Sequence, residues 1–131
     1  MFEIIPMAED KEKDILNIEE SQYCDIKTKL ILPSKISQTV SAFANASGGD
    51  IYIGINENTR TKERSYDGFS TVEECNKFIQ VLESLEGLYE NYDVVYLRCK
   101  DNTFCMQITI LKSNKIVKST DGSVCCGQAF L

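Results

Sequence analysis

SAFANASGGDIYIGINE, residues 41–57, holds the end of an amphipathic helix, a double-glycine stop and an apolar alternating strand. Ser47-Gly48-Gly49 offers the left-handed backbone positions that close a helix C-terminus. Asp50 to Ile55 then has the β-branched and aromatic content of a core strand. Gly54 and the polar residues Asn56, Glu57 and Asn58 mark the strand's exit, where sites of α/β domains are commonly built. A helix, a glycine turn and a buried strand in this order predict an α/β (α+β) domain.

The surrounding sequence supplies the remaining elements. Residues 8–20 are charged, with Ile15, Leu16 and Ile18 as apolar positions, and predict a short helix. Residues 23–29 alternate, placing Tyr23, Asp25, Lys27 and Lys29 on a wet or functional face and Cys24, Ile26 and Thr28 on a core face. Pro33-Ser34 opens a helix predicted over 34–47, with Ser34 or Ser37 as its cap and Ile36, Val40, Phe43 and Ala44 on one stripe. Residues 58–69 read as a loop or short hairpin. Thr71-Val72-Glu73-Glu74 has the form of a capping box and predicts a helix over 71–85 with Val72, Cys75, Ile79 and Leu82 inward, ended near Gly87.

Two strands follow at 93–99 and 103–111 around the turn Lys100-Asp101-Asn102, the second with Phe104, Met106, Ile108 and Ile110 on a buried side. Residues 115–118 and 123–126 predict one more hairpin. Residues 1–6 are apolar and either join a sheet edge or stay unpaired. The sum is a mixed, mainly antiparallel sheet of five to six strands with two principal helices.

The totals bound the class. A chain of 131 residues fits one domain, read here as residues 1–131 of a longer protein because Ala129-Phe130-Leu131 ends without a cap or charged tail. With 43% apolar and 26% charged residues and no long apolar run or secretory signal, the expectation is a cytoplasmic protein without a membrane span. Six cysteines without a signal sequence read as reduced thiols. Their spacing and the absence of His give no zinc knuckle. Without His, acid-base chemistry would rest on carboxylates, Lys, Tyr or Cys. A net charge of −6 opposes indiscriminate phosphate-backbone binding while allowing a local basic stripe. Lys27, Lys29 and Lys35, with Arg60, Lys62 and Arg64 beyond the core strand, are the candidates for such a stripe, against the plainer reading of solvated charges.

Glu20-Ser21, followed by Asp25-Ile26-Lys27 and then AFAN-x-x-GG-x-I-x-IGI, resembles the AlbA-like domain of the Schlafen family and its bacterial relatives. The likeness is strong over residues 20–57 and extends to Leu131 in the order of elements. It implies nucleic-acid binding and, at three matching positions, a catalytic acidic site: Glu20 of the Glu-Ser motif, Asp25 of the acidic strand and Glu57 after the IGI strand. In Schlafen-type endoribonucleases such carboxylates act on structured RNA such as tRNA. Converging carboxylates are oxygen ligands for Mg²⁺ or Mn²⁺, so the same three residues are the candidate metal ligands, with Asp25 and Glu57 facing one open groove and Lys27 at its rim. Mutual repulsion is then expected to raise at least one carboxylate pKa.

Lys27, Lys29, Lys35, Arg60 and Lys62 are the candidate contacts to RNA or DNA. Asp25 replaces the family's usual Glu, Ile26 its aromatic, and Val124-Cys125-Cys126-Gly127 lacks the family's Arg. The alternative is a non-catalytic DNA- or protein-binding module of a larger transcriptional regulator or defence ATPase, with a homodimer and a C-terminal partner domain as open possibilities. Gly48-Gly49 follows a helix and precedes a strand, the reverse of a P-loop, so it reads as a helix stop. Cys125 and Cys126 would point to opposite faces of a strand.

Overall fold

The computed structural model describes residues 2–122. Its elements run β1 (Glu3–Pro6), α1 (Glu9–Leu16), β2 (Cys24–Lys27), α2 (Pro33–Ala44), β3 (Gly49–Ile53), β4 (Ile55–Glu57), β5 (Arg64–Tyr66), a 3₁₀ turn (Val72–Cys75), α3 (Asn76–Ser84), β6 (Tyr92–Arg98) and β7 (Phe104–Ile110). Five strands form one mixed sheet in the order β1-β6-β7-β3-β2, and β4 and β5 form a separate hairpin. The two edge strands join in parallel and the inner pairings are antiparallel, so over both sheets antiparallel pairing predominates.

Period-two alternation divides the sheet into two buried faces. Ile51 and Ile53 of β3, Val94 and Tyr96 of β6, and Met106, Ile108 and Ile110 of β7 pack against Ile36, Val40 and Phe43 of α2 and Phe78 and Leu82 of α3. On the other face Ile26, Tyr52, Leu97 and Cys105 meet Ile15 of α1 and Ile55 of the hairpin. The second layer is why β2 has no wet face. Asp25 and Ile26 are both buried, which corrects the expectation that one side of that strand lies open.

α2 ends where AFAN meets the glycines. The Gly48 N–H donates to Phe43 O at 2.8 Å with φ +83°, a left-handed closure of the helix. Gly49 is instead extended, and a Cβ there would lie 2.8 Å from Tyr23 O and 2.9 Å from the Phe43 ring. Only one of the two glycines is thus needed for its torsion, and the other for close approach. The core strand does not run straight through to Glu57: it turns at Gly54, φ +119°, and the chain leaves the main sheet as the β4–β5 hairpin.

Several other local readings are refined. α2 has Leu32 at its N-cap and Pro33 at its first position, with no side-chain cap; Pro at that position is pre-set for a helix and has no N–H to satisfy. Neither Ser34 nor Ser37 caps it. The Thr71–Glu74 capping box is present, with the Thr71 N–H donating to Glu74 Oε2 at 3.0 Å. It opens a 3₁₀ turn that leads into α3, whose buried side chains are Leu82 and, rather than Ile79, Phe78. Residues 1–6 do join the sheet, through β1. Residues 115–118 form no strand beyond a single bridging residue, and their expected partner, 123–126, lies outside the described residues, as do Cys125 and Cys126. No helix of the described residues is long and apolar enough to cross a membrane.

Candidate functional site

A shallow groove of about 200 Å³ opens where the end of β2 meets the β4–β5 hairpin, lined by Glu20, Lys27, Thr28, Asn56, Glu57 and Arg64 over Ile26 and Ile55. The local sequence explains its position. β2 and β3 run parallel, so the end of β2 lies beside the turn at Gly54, where the Gly54 N–H donates to Lys27 O at 2.9 Å. The hairpin then folds back, its Asp67 side chain receiving the Thr28 hydroxyl, while the loop after α1 brings Glu20 in from the other side.

Two of the three candidate carboxylates, Glu20 and Glu57, line this groove. Asp25 does not. Its side chain is 4% exposed and is already satisfied by Lys27 Nζ at 3.3 Å, by the Ile26 N–H at 3.0 Å and by the Thr39 hydroxyl at 3.4 Å. The register explains the difference: Asp25 pairs with Ile51, and Ile51 faces α2, so Asp25 points to the covered side of the sheet, where at the strand's edge it still touches Glu20. The expectation that Asp25 and Glu57 share one open groove is therefore corrected. Lys27 does stand at its rim, but as the counter-ion of Asp25.

Arg64, one of the cations the sequence offers for a basic stripe, is instead the residue that ties the groove together. Its side chain is 15% exposed, with Nε 3.2 Å from Glu57 Oε1 and Nη2 3.9 Å from Glu20 Oε1. Nη1 donates to Leu16 O at 3.2 Å and to Ile18 O, carbonyls at and just past the end of α1. The signal lay in the hairpin register: Glu57 and Arg64 are directly opposed, a cross-strand pair of opposite charge. Reading residues 58–63 as a turn would have set Arg64 against Glu57.

The electrostatics follow from this crowding. Glu20 is pushed up to about 7, first by burial, then by its hydrogen bond with Asp25 and the charge on Asp25; Lys27 and Arg64 pull in the other direction and are outweighed. The carboxylate is raised as repulsion alone would raise it, but desolvation is the larger cause. Because the folded state holds this proton more tightly than the unfolded chain, Glu20's contribution to stability is full below about pH 4.5 and is lost as pH rises through about 7. Glu20→Gln, which mimics the protonated side chain, is accordingly expected to gain stability relative to the parent as pH rises from 5 to 8. Melting curves of both proteins across that range check the sign, and a gap that narrows with pH would contradict it.

A divalent ion fits these residues poorly. Asp25 touches Glu20 but is buried and already paired with Lys27, Glu57 is occupied by Arg64, and among the described residues no three His, Cys, Asp or Glu side chains are grouped so as to hold a metal ion. Thiolate chemistry fares no better: burial pushes Cys24 and Cys99 up to about 11 and Cys75 up to about 12, far from the range of an activated thiol.

The candidate basic residues are placed differently from the carboxylates. Arg60 and Lys62 are exposed at the hairpin tip, where the Arg60 and Thr61 N–H groups donate to Asn58 Oδ1 at 2.8 and 3.0 Å. Lys35 is exposed on the first turn of α2 and Lys29 is half-buried in the loop before it. None of these four lines the groove, and none forms an ion pair among the described residues, in contrast to Lys27 and Arg64.

Comparison with known proteins places this arrangement in context. The solution NMR structure of the N-terminal domain of a putative ATP-dependent DNA helicase RecG-related protein from Nitrosomonas europaea is similar at a TM-score of 0.69 and 14% identity, over 88% of this chain and 81% of that one. A crystal structure of a Corynebacterium diphtheriae protein is similar at a TM-score of 0.52 and 16% identity, over 82% of this chain but only 23% of that one. At these identities the likeness is one of fold. No curated protein matches the sequence significantly. The family described as Schlafen, AlbA_2 matches residues 20–125, which include Glu20, Asp25, Glu57, Arg64 and every candidate basic residue. The chain therefore belongs to the Schlafen, AlbA_2 family.

Proposed function

We propose that this domain is a nucleic-acid-binding module that contacts the phosphate backbone through the tip of the β4–β5 hairpin and does not itself cut the strand. The observation that carries the reading is the division of the cations. Arg60 and Lys62 stand exposed, and unpaired among the described residues, on a short hairpin held by the Asn58 turn, whereas Lys27 and Arg64 are paired with Asp25 and Glu57. Exposed cations that lack a protein partner are the groups able to release counterions on binding phosphate, and Lys29 and Lys35 extend the same supply at the base of α2. The fold shared with the N-terminal domain of a helicase-related protein supports a nucleic-acid partner as well. The net charge of −6 restricts contact to this edge and predicts modest, salt-sensitive affinity.

Fluorescence anisotropy against labelled tRNA and against single- and double-stranded DNA tests the reading. Replacing Arg60 and Lys62 together by Ala is expected to weaken binding to all sequences alike and to reduce the salt slope by about 2, since each phosphate-contacting cation contributes about 1. An unchanged slope would place the contact elsewhere. The metal-dependent endoribonuclease of the family resemblance is the competing outcome. Incubation with total tRNA and Mn²⁺ is expected to leave the tRNA intact, and fragments that disappear in Glu20→Ala would restore cleavage as the function.

A further inference from the structure

We infer that Arg64 is the resident cation of the carboxylate groove: its guanidinium neutralises Glu57, reaches toward Glu20 and ties the end of α1 to the hairpin, so the groove is assembled without a divalent ion. Four observations converge on one side chain. Nε pairs with Glu57 at 3.2 Å, Nη2 reaches Glu20 at 3.9 Å, and Nη1 donates to Leu16 O and Ile18 O. These partners come from three separate segments: the end of α1, the loop before β2, and β4. A guanidinium has five N–H donors fixed in one plane and cannot be deprotonated here, so it joins oxygen ligands from several directions as a metal ion would, but permanently. The side chain is 15% exposed, and the tyrosine two residues on repeats the tie, Tyr66 Oη donating to Glu12 O at 2.7 Å. Arg64 is therefore a positioning residue for the hairpin and for the Arg60–Lys62 tip it carries. The inference stands whether or not that tip binds nucleic acid.

The two ways of holding Glu57 predict opposite signs for its neutralisation. Carboxylates that await a metal repel one another in its absence, so removing one charge stabilises the metal-free protein. Carboxylates paired to a fixed guanidinium lose a partner instead. In EDTA, Glu57→Gln is expected to lower Tm by about 2 °C and Arg64→Gln to lower it further, because that variant also strands two carbonyls. The full chain is expected to show no Mn²⁺-dependent rise in Tm. A higher Tm for Glu57→Gln in EDTA, or a Mn²⁺-dependent rise in the parent that Glu57→Gln abolishes, would overturn the inference. Should Arg64→Gln fail to fold, the Glu57→Gln and Mn²⁺ measurements decide it alone, and neither requires nucleic acid.

Discussion

Gly48→Ala is expected to destabilise the domain by about 3 kcal/mol or more, through two separable effects. The residue sits at φ +83°, where an L side chain costs about 1–2 kcal/mol. A Cβ built there lies 2.5 Å from Ile110 O, well inside any normal contact. That carbonyl has little freedom to retreat, because Ile110 is paired with Gly49 on one side and Tyr92 on the other. Gly122 supplies the internal control: it has nearly the same torsion, φ +84°, with nothing among the described residues within 4 Å of its notional Cβ. Gly122→Ala should therefore cost only the backbone part, about 1 kcal/mol. Urea denaturation of both variants, with an unchanged m value confirming a common unfolded reference, reads the difference directly. Equal losses would mean that the sheet yields at Ile110 and that Gly48 is a torsional requirement alone.

That same junction shows how much of the molecule could be read in the sequence. The helix, the stop and the strand were legible because each has a strong local cause: a 3.6-residue apolar stripe, a glycine where φ must be positive, and β-branched alternation. The turn at Gly54 was not, since a glycine within a strand pattern is equally compatible with a bulge, a bend or a straight run. Its consequence was large, because the hairpin it releases covers the second face of the sheet. On the opposite face α2 covers Asp25, which is a buried carboxylate with Lys27 as its counter-ion rather than a ligand at an open edge.

Glu20 and Glu57 line one groove. The guanidinium between them belongs to a pairing that sequence spacing permits but does not select until the hairpin register is known. Alternation reports which residues share a face; it does not report what later segments lay over that face. The polar residues of α2 make the same point. Ser37, Ser41 and Asn45 recur every four residues along a helix whose apolar stripe was obvious, and nothing local says that this second stripe is also covered.

Asn45→Ala is expected to cost about 2–3 kcal/mol, the second largest effect, because that covered stripe fastens the chain after β7 across α2. The Asn45 side chain acts as a substitute strand edge: Nδ2 donates to Val117 O and Oδ1 accepts the Val117 N–H, both at 2.8 Å. Val117 is fully buried, so water cannot replace what is lost, and an unsatisfied buried N–H costs about 1–3 kcal/mol. The carbonyl is less exposed to the change, because the Ser41 hydroxyl also donates to it at 2.6 Å. Farther along, Ser37 Oγ accepts the Thr120 N–H at 3.2 Å, and the Ser113 N–H donates to Ala44 O at 2.9 Å.

The asymmetry between the two halves of Val117 yields a graded series. Ser41→Ala should cost about 1 kcal/mol, since Val117 O keeps Asn45. Asn45→Asp should fall between parent and Ala, retaining the acceptor for the Val117 N–H while setting a carboxylate oxygen against Val117 O. The double variant Ser41→Ala/Asn45→Ala should lose more than the sum of its parts, because only then are both backbone groups of Val117 stranded. Hydrogen exchange at the Val117 amide is the site-specific readout, and protection that survives Asn45→Ala would show that the segment is held by its apolar contacts rather than by this amide.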